Sequence, residues 1–209
     1  MVLSEAIPLF CNENPNMVLY REDAAEPSAA VSFWRSFFSP VGAGAVLALR
    51  RRAGSEAPAV ELYADNPDLG RLIAGTFVRH WPPFRRTQIA AVAPRPARIA
   101  VETDGRRFYR VTCIAATDVV VEWRGFGGTV RHARHAPPGV VHQGEQLAVE
   151  NVVVPAGRIR LAIDGEEVAG DLRADGDPFT FVTLCETWSP VDDHCPAGSG
   201  HAPAPRQAA

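Results

Sequence analysis

The sequence lacks lysine altogether: all 21 basic residues among its 209 are arginine. Without lysine, the chain cannot form the lysine Schiff base of pyridoxal-phosphate enzymes or of class I aldolases. It also lacks the lysine that a P-loop places against nucleotide phosphates. These three classes of enzyme are therefore excluded.

Cysteine is scarce, with four residues that are far apart and form no CxxC pair. No basic segment followed by a long apolar stretch stands at the N-terminus, so the sequence predicts no signal peptide. We therefore expect a cytoplasmic protein with reduced thiols. Cys113 and Cys185 fall in strand-like runs, where we expect them to be buried.

Long apolar runs are also missing, since none approaches the roughly 18 residues that a membrane-spanning helix needs. The balance of 21 basic against 24 acidic residues favours neither a nucleic-acid surface nor an acidic tail. With 46% apolar residues the chain can form a substantial core. We expect one β-rich domain over 1–190, with an irregular segment over 1–43 packed on it and an unstructured tail over 191–209.

One helix is clearly marked in the sequence. Asp65 or Asn66 can cap it, Pro67 suits its first turn, and apolar residues follow at helical spacing up to Phe77. The stretch Ser32–Phe38 is expected to form a second, short helix that packs aromatic side chains on the core.

The period of apolar residues is two in most other segments, which predicts strands. Asp104-Gly105 and Asp164-Gly165 predict tight hairpin turns, the first of type I′. Phe179–Trp188 is apolar on both faces and is expected at the centre of the sheet. These signals predict a mainly β protein: an antiparallel curved sheet or barrel of about eight to ten strands, analogous to calycins, covered by one main helix.

The residues expected to carry acid–base chemistry are polar positions on apolar strands. Glu186 lies between Leu184 and Trp188, where desolvation would raise the pKa of its carboxyl group. His132 and Tyr109 are the other expected acids or bases. The sequence thus favours a cofactor-independent lyase, isomerase, hydratase or cyclase that acts on a small hydrophobic or aromatic molecule.

Further residues are expected to bind the substrate. They comprise two cations, two aromatic rings and one amide: Arg110, Arg134, Trp123, Trp188 and Asn151. Each has a structural interpretation as well, because arginines pair on surfaces and aromatic residues fill cores. No partner other than such a small molecule and a second copy in a homodimer is expected: no nucleic acid and no membrane.

Two other functions fit the same pattern. One is a non-catalytic carrier that holds an apolar ligand in the same pocket. The other is a metal-dependent enzyme using His132, His135 and His142, with Glu145 nearby. The spacing of these histidines matches no established metal motif, and His132 and His135 are an odd number of residues apart on one strand. No metal or cofactor is therefore expected.

Overall fold

The computed structural model describes residues 7–22, 24–52, 58–135, 141–142, 145–146, 148–173 and 181–189. Of the described residues within 7–8, 130–148 and 181–189, it describes the backbone alone. The expected tail over 191–209 lies outside the described residues. The first strands are β1 (Ile7–Glu13), β2 (Asn16–Leu19), β3 (Ala29–Phe38), β4 (Gly44–Arg51) and β5 (Ala59–Ala64). The helix α1 (Pro67–Thr76) and two 3-10 turns (Val78–His80 and Ile89–Ala91) follow.

The remaining strands complete a mainly β protein. They are β6 (Arg95–Pro96), β7 (Arg98–Thr103), β8 (Phe108–Ile114), β9 (Val119–Phe126), β10 (Val130–His135), β11 (Val141–His142), β12 (Glu145–Gln146), β13 (Ala148–Ile163), β14 (Glu166–Glu167) and β15 (Phe181–Ser189). Strands β11 and β12 pair only with each other, and the other thirteen form one sheet.

The large sheet follows the order β6-β5-β4-β3-β1-β15-β13-β9-β8-β7 and is antiparallel except where β5 meets β6. The path ends at β6 and β7, so the described strands show no closed barrel. The predicted central position of the last strand is confirmed, because β15 lies between β1 and β13.

The sheet folds back on itself, so that its two ends pack face to face. The inter-sheet core between them contains residues from both ends, including Phe33, Leu47, Tyr63, Tyr109 and Trp123, all buried. On the opposite face of β3, β4 and β5 lies the helix-side core, which these strands form with α1 and the two 3-10 turns. Strands β3 and β4 are therefore apolar on both faces.

The helix begins and is capped as the sequence predicts. Asn66 is the N-cap, and its side-chain oxygen accepts hydrogen bonds from the backbone N–H groups of Asp68 and Leu69, both at 3.2 Å. Pro67 occupies the first turn, where the missing N–H leaves no bond unmade. Leu69 and Ile73 are fully buried against the sheet.

The predicted helix over Ser32–Phe38 is wrong, because the whole stretch is part of β3. Val31 and Phe33 enter the inter-sheet core, and Trp34 enters the helix-side core. The small Ser32 and Ser36 are buried with Trp34 on the helix side, so both faces are covered and no simple alternation marks the strand.

The long strand β13 runs continuously through Pro155. Pro155 is opposite Phe181, the first residue of β15. The N–H that proline lacks is therefore missing where the pairing of β13 with β15 ends. Its carbonyl accepts a hydrogen bond from Gly127 N–H at 2.9 Å. Before Pro155, β13 pairs with β10, and after Pro155 it pairs with β9 instead. The single strand β13 therefore belongs to both ends of the folded sheet.

Candidate functional site

The strand register brings polar residues from five strands into one row. His132 on β10 is directly opposite Asn151 on β13, and Asn151 is opposite Cys185 on β15. Cys185 is opposite Asn12 on β1, which is in turn opposite Ser36 on β3. Directly opposite residues of antiparallel strands belong to the same face of a sheet. We call these five residues the polar row.

Asn12 is the unusual member of the polar row because its side chain is fully buried, with 0% exposure. Its Oδ1 accepts a hydrogen bond from Ser36 Oγ. Its Nδ2 is buried and has no hydrogen-bond partner among the side chains and backbone groups that the structure describes. A buried donor without an acceptor costs about 1–3 kcal/mol, so such groups in native proteins commonly serve a ligand or a bound water.

Aromatic rings border the row at the Asn12 end. Phe77 contacts Phe10 edge-to-face at 5.2 Å between ring centroids and stacks on Trp34 at 4.9 Å. Trp34 Nε1 donates to Ser32 Oγ at 3.0 Å, which fixes the plane of the indole. We call Phe10, Trp34 and Phe77 the aromatic wall. All three belong to the helix-side core, so the aromatic wall places an apolar surface beside the Asn12 amide.

Two predicted site residues, His132 and Asn151, lie next to each other in the polar row. Arg134 is two residues from His132 on β10 and therefore belongs to the same face. Glu186 and Trp188 follow Cys185 at odd spacing on β15, so their positions belong to the opposite face. The register thus does not bring Glu186 and His132 to one face.

Tyr109 and Trp123 lie in the inter-sheet core, on a different layer from the polar row. Tyr109 Oη donates to Glu13 Oε2 at 2.6 Å, and the ring contacts Trp123 edge-to-face at 5.9 Å. Burial and the bond to Glu13 hold the pKa of Tyr109 above its ordinary value. Tyr109 therefore stays protonated at neutral pH and acts as a hydrogen-bond donor.

Arg110 lies on the other face of β8 from Tyr109, as the alternation predicts, and its charge is already paired. Its Nε donates to Glu122 Oε2 at 2.8 Å, and Glu102 lies 3.6 Å from the guanidinium. Glu122 also accepts from Arg124. Burial alone would raise the pKa of Glu122, but the hydrogen bonds and charges of Arg124 and Arg110 outweigh it and lower the pKa.

The Glu122 cluster makes a testable contribution to acid stability. Because the folded state lowers the pKa of Glu122, the stabilisation is fully present above the unfolded value of about 4.3 and is lost as pH falls through the folded pKa. We expect Glu122→Gln to reduce the free energy of unfolding measured with urea at neutral pH. We also expect the free energy of unfolding of this variant to decline less steeply as the pH falls below about 4.3. The exposed Glu167→Gln serves as the control, and an unchanged pH profile for Glu122→Gln would contradict the assignment.

The histidine region is described by its strand pairing. His142 is opposite Glu145 in the small β11–β12 sheet, and His135 is opposite Ala148 at the end of β13. Only the backbone is described at these positions. Where side chains are described, no three His, Cys, Asp or Glu residues group closely enough to hold a metal ion.

Asn12 and Ser36 were not predicted as site residues, because the segment 1–43 shows no sustained period. The available signal was the spacing of Ser32, Trp34 and Ser36, which places one aromatic and two small polar residues on one face of a strand. The partner Asn12 carries no such signal, since its role depends on pairing with β15 and β3.

Comparison of the chain with protein-family models, with curated proteins and with solved structures finds no match. In the part of the chain that the structure describes, no helix is long and apolar enough to cross a membrane. The function must therefore be argued from the polar row and the aromatic wall themselves.

Proposed function

We propose that the protein is a cofactor-independent acid–base enzyme that binds a small hydrophobic or aromatic molecule across the polar row. The observation that carries the proposal is the fully buried Asn12 amide, whose Nδ2 has no hydrogen-bond acceptor in the described part of the chain. A substrate oxygen would supply that acceptor. The adjacent aromatic wall would bind the apolar part of the same molecule.

His132 is the proposed general base. Imidazole titrates near neutral pH, so a neutral histidine can accept a proton from carbon without a cofactor. Neighbouring strands lie about 4.8 Å apart, which places His132 about 14 Å from Asn12 along the row. A small substrate spanning β13 and β15 would then contact a base at one end and an amide donor at the other.

The other row residues have supporting roles in this proposal. Asn151, next to His132, would bind a polar group of the substrate, and Arg134 on the same face would bind a substrate anion. Tyr109, Trp123 and Arg110 have no part in it, because they are committed to the inter-sheet core or to Glu122. The proposal requires one face of the open sheet rather than a closed barrel.

The test substrate is 5-nitrobenzisoxazole, an aromatic molecule that reports proton abstraction directly. A base removes its ring C–H proton, the N–O bond breaks, a nitrile forms, and the oxygen leaves as a coloured phenolate. The C–H and the leaving oxygen belong to the same five-membered ring, so His132 and Asn12 would have to extend toward each other over β13 and β15 for Asn12 Nδ2 to donate to that developing anion. We expect the protein to catalyse this elimination and Asn12→Ala to lower kcat/KM by about 10²-fold, the effect of losing one oxyanion donor.

Asn14→Ala is the matched control, because the Asn14 amide is already committed to Phe33 O at 2.7 Å and to Asn16. We expect this change to lower stability without a comparable loss of kcat/KM. Binding of 5-nitrobenzisoxazole that depends on Asn12, with no turnover, would instead support the carrier function. Equal activity of Asn12→Ala and the unmodified protein would contradict both functions at this site.

A further inference from the structure

The segment from residue 69 to residue 101 is rich in arginine and contains no acidic residue. Residues 69–101 contain six arginines and His80 but no aspartate or glutamate, although the whole chain has a net charge of −3. This segment includes most of α1, both 3-10 turns and the chain between them. The acidic excess of the protein is therefore located elsewhere, and this layer carries a concentrated positive charge.

A groove of about 420 Å³ lies within this layer, between the two 3-10 turns. Its lining comprises three cationic or titratable side chains, two polar ones and two alanines: Arg79, His80, Arg85, Thr87, Gln88, Ala90 and Ala91. None of these residues carries a negative charge. The volume is within the range of small-molecule sites.

The groove arginines are not neutralised by the protein. Arg71 and Arg95, in the same layer, pair with Asp68 at 2.6 Å and with Glu61 at 3.4 Å. In the described part of the chain, Arg79 and Arg85 form no such ion pair. Burial lowers the pKa of His80, and the positive charges of Arg79 and Arg85 lower it further.

The groove is held in shape by the core beneath it. Phe84 and Ile89, which neighbour lining residues in the sequence, are fully buried in the helix-side core and anchor this segment of the chain. Arg85 Nη2 donates to the carbonyl of His80 at 3.2 Å, and Thr87 Oγ1 donates to the carbonyl of Phe84 at 2.7 Å. The cationic groups are thus presented on a preformed surface, which lowers the entropic cost of binding a ligand.

We propose that this groove binds the phosphate group of a small soluble molecule. A phosphate dianion offers acceptor oxygens to two guanidinium groups, which bind it in a planar, bidentate manner, and to the Gln88 amide. Phosphate is favoured over a carboxylate because the two unpaired arginines match its double charge. The groove shares no residue with the polar row, so the phosphate proposal can be tested independently of the acid–base function.

The test is calorimetric titration with inorganic phosphate at constant ionic strength. We expect saturable binding, and we expect the double variant Arg79→Gln/Arg85→Gln to weaken it at least about tenfold through the loss of charge-assisted hydrogen bonds. Arg71→Gln is the control, because it removes one positive charge from the same layer outside the groove. We expect the pKa of His80, followed by NMR, to rise when phosphate is added.

Three results would overturn the proposal. One is the absence of saturable phosphate binding, and another is an equal loss in Arg71→Gln and the double variant, which would indicate general charge attraction. The third is binding of a single-stranded oligonucleotide, sensitive to the double variant, without binding of inorganic phosphate. That result would assign the groove to an extended polyanion.

Discussion

Replacement of His132 by glutamine is expected to lower kcat/KM for 5-nitrobenzisoxazole by about 10²- to 10⁴-fold, the usual contribution of a general base. Glutamine keeps a polar side chain of similar length but does not accept a proton at neutral pH. In the unmodified protein the rate should rise with pH as imidazolium loses its proton, because only neutral imidazole is basic. In His132→Gln this rise should disappear.

Two matched variants make the result specific to the polar row. His80→Gln removes a histidine from the arginine-lined groove and should leave the elimination rate unchanged. Glu186→Gln tests the opposite face of β15, where the sequence placed its first choice of catalytic acid or base. A large loss in Glu186→Gln with full activity in His132→Gln would move the site to that face and contradict the present assignment.

Replacement of Trp123 by alanine is expected to destabilise the protein by about 3–5 kcal/mol, the range found for large aromatic residues in cores. The indole is fully buried, contacts Tyr109 edge-to-face, and donates from Nε1 to the carbonyl of Asn16 at 2.8 Å. It therefore joins β9 to β2 across the inter-sheet core. The change is measured by urea unfolding followed by circular dichroism.

The components of that loss can be separated with a second substitution. Trp123→Phe retains much of the apolar volume but leaves the Asn16 carbonyl without its donor, so a loss of about 1–3 kcal/mol is expected. Phe37→Ala is the control, since Phe37 is 49% exposed and should change stability little. If Trp123→Ala cost no more than Phe37→Ala, the folded-back arrangement of the two sheet ends would be wrong.

The two Asp-Gly pairs show how far turn chemistry alone predicts structure. Asp164 and Gly165 both have positive φ, at 51° and 82°, as the predicted two-residue hairpin requires. At the other pair only Gly105 does, at 72°, so the predicted type I′ turn is wrong there. Asp104 Oδ1 instead accepts hydrogen bonds from the N–H groups of Arg106, Arg107 and Phe108, which favour a longer loop.

Burial of individual side chains was predictable where the alternation was clean. Cys113 is fully buried as expected, and burial raises the pKa of its thiol to about 12, so it is a structural thiol. Tyr109 and Arg110 lie on opposite faces of β8, as adjacent residues of a strand do. The alternation could not show that Glu13 and Glu122 would be their partners, because both pairings depend on contacts between strands.

The sequence by itself determined the local features of this protein: the capped helix α1, the strands of period two, and the absence of lysine chemistry. Each depends on residues within a few positions of one another. Only the tertiary structure decided that β3 is a strand buried on both faces and that β13 passes continuously through Pro155. It alone aligned His132, Asn151, Cys185, Asn12 and Ser36 in one row. The physical reason is that strand register is a non-local property, set by which strands pair, and a shift of one residue would place every side chain on the other face.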